Sequence, residues 1–109
     1  MTTTRHLQLV NVHPDKRDTY LELHAAVWPQ VESRISASNI TNYSIFIEGD
    51  LLIAYFEYTG DDFAADMALM AADPVTQEWW SHTDPCQKPL ESAPPGAIWT
   101  DAREVWHLQ

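Results

Sequence analysis

The sequence predicts an α+β domain built on an antiparallel sheet. Three observations carry this. Residues 42–48 place Tyr43, Ile45 and Ile47 on one side of an extended run, and Glu48-Gly49-Asp50 turns directly into a second extended run, Leu51 to about Tyr58. That is the pattern of a hairpin. Segments with apolar residues at helical spacing flank the hairpin on both sides. Short strand-like runs lie near both ends of the chain. With 109 residues, a single domain spanning 1–109 is expected, long enough to bury a real core.

In order, His6 to His13 reads as a first strand, apolar on both faces. Pro14-Asp15 ends it. A helix is then expected from about Asp15 to Ser38, bent at Pro29, because proline removes one intrahelical hydrogen bond. The hairpin follows. Its second strand is apolar on both faces, with Leu51, Ile53 and Tyr55 on one and Leu52, Ala54, Phe56 and Tyr58 on the other. Helices on one side would leave the second apolar face bare, which predicts a homodimer. Gly60-Asp61-Asp62 opens a second helix carrying Phe63, Met67, Met70 and Ala71. Asp73-Pro74 restarts it as a segment from Val75 to about Ser81, with Asp73 as cap and Pro74 in the first turn. Residues 83–99, with Pro85, Pro89, Pro94, Pro95 and Gly96, read as a loop. Ala102 to Leu108 reads as the last strand. The order β-α-β-β-α-β is the ferredoxin-like arrangement, a four-stranded antiparallel sheet with helices on one face.

The first helix holds the stretch of greatest chemical interest. At about 100° per residue, Tyr20, His24, Val27, Val31 and Ile35 fall within a quarter-turn. Tyr20 and His24, at i and i+4, stand one above the other on the face a helix buries. Such an imidazole is either a core histidine satisfied by a backbone carbonyl or a general acid/base looking into a lined pocket. Trp79-Trp80 is the second such feature. Adjacent helical residues point about 100° apart, so one indole joins the core and the other lines a cleft or an interface.

Composition narrows the function. Sixteen acidic and six basic residues give a net charge of −10. Nucleic acid and anionic membrane surfaces need a basic footprint, so both are disfavoured as partners, and a small neutral ligand fits better. No apolar run reaches the ~18–20 residues of a membrane span. Met1-Thr2-Thr3-Thr4-Arg5 has no apolar stretch behind it, so no secretory signal is expected. Cys86 is the one cysteine, which excludes an intramolecular disulfide and points to the cytoplasm. The five histidines, His6, His13, His24, His82 and His107, form no HExxH or Cys/His cluster, so no metal is expected. Three glycines do not make a phosphate cradle. Cys86 has no basic neighbour to lower its pKa. What remains is an imidazole, phenols and indoles without a cofactor, a set suited to proton transfer on a neutral molecule.

Taken together, Tyr20-x-x-x-His24-x-x-x-Trp28-Pro29, Asn42-Tyr43-x-Ile45, Trp79-Trp80 and Glu104-Val105-Trp106-His107-Leu108 resemble the L-rhamnose mutarotase family, in the same order over nearly the whole chain. The resemblance implies a small ferredoxin-like protein that dimerises through its sheets, a dimeric α/β barrel. It implies cofactor-free interconversion of the α and β anomers of a 6-deoxy-L-sugar. It further implies His24 as proton donor and Tyr20, Tyr43, Trp79 and Trp80 as sugar contacts, with Tyr20 a partner or second proton-transfer group. Residues 83–99 depart from the family's usual segment and are a candidate wall of the sugar site. The departure leaves L-fucose as well as L-rhamnose as substrate, since a site built on hydroxyl hydrogen bonds can be re-specified by one loop. Two other readings compete. One is a cofactor-free monooxygenase or haem-degrading enzyme of similar fold. The other is a non-catalytic small-ligand-binding module in which His24 and the tryptophans only pack.

Overall fold

A computed structural model describes residues 2–109. Strand β1 (Thr4–Val12) lies inside the sheet, paired antiparallel with β3 (Leu51–Tyr58) from Thr4↔Tyr58 to Asn11↔Leu51. Strand β2 (Ile40–Glu48) covers the other side of β3, and a two-residue turn at Gly49-Asp50 sets the register Glu48↔Leu51. Gly49 adopts φ +59°, a left-handed conformation that glycine takes without steric cost. The hairpin therefore forms where the sequence places it.

The helical connections are more broken than expected. The single bent helix is two helices, α1 (Arg17–Ala25) and α2 (Pro29–Ala37). Trp28 is extended, at φ −63° and ψ 133°. A residue before proline is pushed out of the α region, so Pro29 starts a new helix instead of kinking the old one. Helix α3 (Phe63–Ala71) is capped by the Asp62 carboxylate, which accepts from the Ala65 amide, and α4 (Pro74–Thr83) by Asp73, which accepts from the Thr76 amide. Such caps satisfy N–H groups that the helix leaves open.

The sheet order is β2-β3-β1-β4, as the ferredoxin-like reading requires, but the fourth position is split. Gln87–Lys88 forms β4 opposite Asn11 and Val12, and Thr100–Ala102 forms β5 opposite Leu7 to Leu9 on the same edge of β1. The final strand is thus short, not the full run from Ala102 to Leu108, and the loop read for 83–99 contains a strand. The register shows where the tail runs out of partner, a few residues past Ala102. With Leu7 opposite Ala102, each later residue meets an earlier one of β1. Glu104 reaches Arg5 in a two-pronged ion pair at 2.8 Å, and β1 begins at Thr4. Among the described residues, 105–109 find no further strand, and Val105, Trp106 and Leu108 are exposed.

Burial along β3 alternates without interruption. Leu52, Ala54, Phe56 and Tyr58 are buried, and with Val10, Val12, Ile40 and Tyr20 they make the core under the helices. On the opposite face Leu51, Ile53 and Tyr55 are half-buried while Leu7 and Phe46 are exposed.

Candidate active site

Helix α1 sets the centre of the site. Tyr20 is 2% exposed and packs with Val10, Val12, Leu52 and Cys86. One turn later, His24 stacks on the Tyr20 ring, centroids 4.2 Å apart. Its Nδ1 lies 3.0 Å from the Tyr20 carbonyl oxygen. A carbonyl can only accept, so Nδ1 carries the proton and Nε2 is left as the working nitrogen. Burial lowers the His24 pKa, against a smaller upward pull from that carbonyl. The neutral Nδ1–H tautomer is therefore the resting form at neutral pH.

Helix α4 supplies the next wall. Trp79, 5% exposed, meets His24 edge-on at 5.4 Å and the Trp28 indole edge-on at 5.2 Å. Trp28 also meets His82 at 5.7 Å. The α1–α2 break is what allows this, because an extended Trp28 swings its indole toward α4. Trp80 points away, 36% exposed. The pair thus divides as the 100° step requires, one indole in the core layer and the other outside it.

Tyr43 comes from β2, on the helix-facing side with Ile45. Asn42 and Tyr43 together oppose Phe56, because the register slips between Thr41 and Ser44. Asn42 takes φ 50° in this bulge, and its amide donates to Glu57 on the other face. The bulge seats Tyr43 against Phe56 at 5.5 Å and re-aims it, as bulges do. Tyr43 exposes 40% of its surface, yet desolvation of its hydroxyl raises its pKa. Desolvation also pushes the Tyr20 hydroxyl up. The Gln87 carboxamide beside it pulls the other way, and Tyr43 and Cys86 add smaller upward pushes. Both Tyr20 and Tyr43 therefore stay phenols at neutral pH.

The structure joins Tyr20 to His24 and His24 to Trp79, and sets Tyr43 against Phe56 on the same side of the sheet. No contact joins Trp80 to the imidazole. Trp28, His82 and Gln87 were not singled out as site residues from the sequence. The Trp28-Pro29 dipeptide was the available signal for Trp28. Nothing in the proline-rich stretch marks Gln87. Among the described residues, no three His, Cys, Asp or Glu side chains gather as a metal-binding group, and no helix is long and apolar enough to cross a membrane.

The fold and this imidazole within aromatic rings define a small ferredoxin-like domain equipped for proton transfer. Comparison with known proteins narrows the class. The family model for L-rhamnose mutarotase matches residues 5–108. The chain is 30% identical over 101 residues to L-rhamnose mutarotase of Lactiplantibacillus plantarum, covering 93% of this chain and 94% of the relative. It is 31% identical over 106 residues to that of Bacillus subtilis, covering 95% and 97%. The crystal structure of L-rhamnose mutarotase from Formosa agariphila superposes with a TM-score of 0.75 at 19% identity, covering 97% of this chain and 99% of that one. The chain belongs to the L-rhamnose mutarotase family, and is thus an isomerase of the anomer-exchanging type.

Proposed function

We propose that this protein exchanges the α and β anomers of a 6-deoxy-L-hexose, L-rhamnose or L-fucose, with His24 and Tyr20 as the proton-transfer pair. The observation that carries this is the His24 ring itself. One nitrogen is held by the Tyr20 carbonyl at 3.0 Å, the other is left for a ligand, and phenol and indole rings stand on either side.

Ring opening removes a proton from the anomeric hydroxyl, forms the C1=O1 bond, breaks the C1–O5 bond and protonates O5. The neutral His24 Nε2 takes the O1 proton, and the Tyr20 hydroxyl, kept protonated by desolvation, donates toward O5. A turn about C1–C2 presents the other face of the carbonyl. Closure reverses each transfer: O5 attacks C1, its proton returns to Tyr20, and Nε2 gives its proton to O1. His24 is thus the base in opening and the acid in closure, and proton, charge and sugar are conserved over a turnover. General acid–base help of this kind contributes about 10²–10⁴-fold. The Trp79 indole beside the imidazole offers an apolar border for the sugar, and Tyr43 offers a hydroxyl.

The same reading includes a homodimer. The sheet face opposite the helices carries exposed Leu7 and Phe46 beside half-buried Leu51, Ile53 and Tyr55, next to the unpaired tail with Val105, Trp106 and Leu108. An apolar face of this kind supports pairing with a second copy, sheet against sheet. Buried, unpaired Cys86 suits the reducing cytoplasm. The charge of −10 suits a neutral sugar and no nucleic acid. The test is saturation transfer between the anomeric proton signals of each sugar with and without protein. Acceleration above buffer for one of the two supports the reading, and none for either overturns it.

A further inference from the structure

Gln87 is a polar residue in an apolar place. It is 8% exposed, and its pairing with Val12 in the β1–β4 register puts it on the helix-facing side, since residues opposite each other in a ladder share a face. Its neighbours there are the Tyr20, Val10, Val12, Leu52 and Cys86 cluster. The carboxamide is near enough to the Tyr20 hydroxyl to pull its pKa down, against the larger upward push of desolvation. Its Oε1 is enclosed and has no hydrogen-bond partner. Buried acceptors are nearly always satisfied, and one left open calls for a partner not yet supplied.

Resting on the mutarotase reading, we infer that Gln87 is a specificity-determining residue whose carboxamide accepts a hydrogen bond from the sugar's 2-hydroxyl. The chemistry of the sugar selects that position. Tyr20 addresses the O5–C1 bond. The carbons flanking that bond are C5, which bears the apolar methyl group, and C2, which bears a hydroxyl. A carboxamide next to Tyr20 suits the second. L-rhamnose and L-fucose differ in configuration at C2 and at C4, so an acceptor fixed at C2 ranks them. Gln87 is held on a strand, whereas Ile98 and Trp99, half-buried against the same cluster, belong to no strand.

The experiment compares kcat/KM for the preferred sugar and its 2-deoxy analogue in wild type, Gln87→Leu and Gln87→Met. In wild type, removing the 2-hydroxyl lowers kcat/KM roughly ten- to hundredfold, the usual scale for a buried hydrogen bond left unmade. In both variants parent and 2-deoxy sugar react at rates within about threefold, and the preference between L-rhamnose and L-fucose shrinks with it. The variants remove the open acceptor but also the carboxamide beside the buried Tyr20 hydroxyl, so melting temperatures stay level or fall, and the ratio of parent to 2-deoxy rates, not the absolute rate, is the readout. If the variants still separate parent from 2-deoxy sugar as strongly as wild type, Gln87 does not read that hydroxyl, whatever the melting temperatures. If wild type accelerates neither parent sugar, the mutarotase reading falls and takes this inference with it.

Discussion

Tyr20 acts on His24 twice, through its ring at 4.2 Å and through its backbone carbonyl at 3.0 Å from Nδ1. The i, i+4 geometry of one helical turn supplies both contacts. The stack limits ring rotation and the hydrogen bond fixes the tautomer. One residue thereby decides which nitrogen of its neighbour is available to a substrate.

Replacing His24 with Asn removes the titrating group while leaving a small polar side chain. Anomer exchange should fall by about 10²–10⁴-fold with the fold retained by circular dichroism. A variant with undiminished exchange would reduce His24 to a packing residue.

Tyr20→Phe keeps the stack and the carbonyl but deletes the hydroxyl. Loss of a hydrogen bond to a group that gains charge during reaction is worth roughly 1.5–3 kcal/mol, or about 10–150-fold in rate. The loss should appear in kcat more than in KM, as steady-state kinetics over a range of sugar concentrations would reveal.

Burial lowers the His24 pKa from its ordinary 6.5. Because opening begins with neutral Nε2, kcat/KM should be flat through neutral pH and fall only as pH drops through that lowered value. The sign for stability is the same: the unfolded chain binds the proton more readily, so stability present above pH ~6.5 declines on acidification. Proton NMR titration of the imidazole C–H signals should give a midpoint below 6.5, and a midpoint above it would contradict the assignment.

Light scattering should give twice the 12.5 kDa of one chain. Phe46→Glu, which places a charge on the exposed sheet face, should shift the population toward monomer without unfolding it. A wild-type mass of one chain at micromolar concentration would contradict the paired-sheet reading.

Much of this architecture was legible in the residues. Period-two alternation through Tyr43 to Ile47, the Gly49 turn and the Asp73-Pro74 helix start are local signals, and local physics decided them. The α1–α2 break was misjudged because a proline inside an apolar-periodic run can bend a helix or end it. The outcome depends on whether Trp28 finds a better place extended, here against Trp79. The divided fourth strand was hidden for a different reason. Gln87-Lys88 and Thr100 to Ala102 carry too few residues to show a period, and they become strands only because β1 offers an open edge. Helical spacing set Tyr20 and His24 on one face, and the two rings stack, with Trp79 edge-on to the imidazole. Gln87 was invisible because its burial depends on long-range pairing with Val12.

Anomer exchange measured side by side for wild type and His24→Asn tests the central claim most directly. With L-rhamnose and L-fucose each at saturating concentration, wild type should transfer saturation between the two anomeric protons of one sugar far faster than buffer, and the variant should approach the buffer rate. Equal exchange by the two proteins, or wild-type exchange no faster than buffer for both sugars, would contradict it.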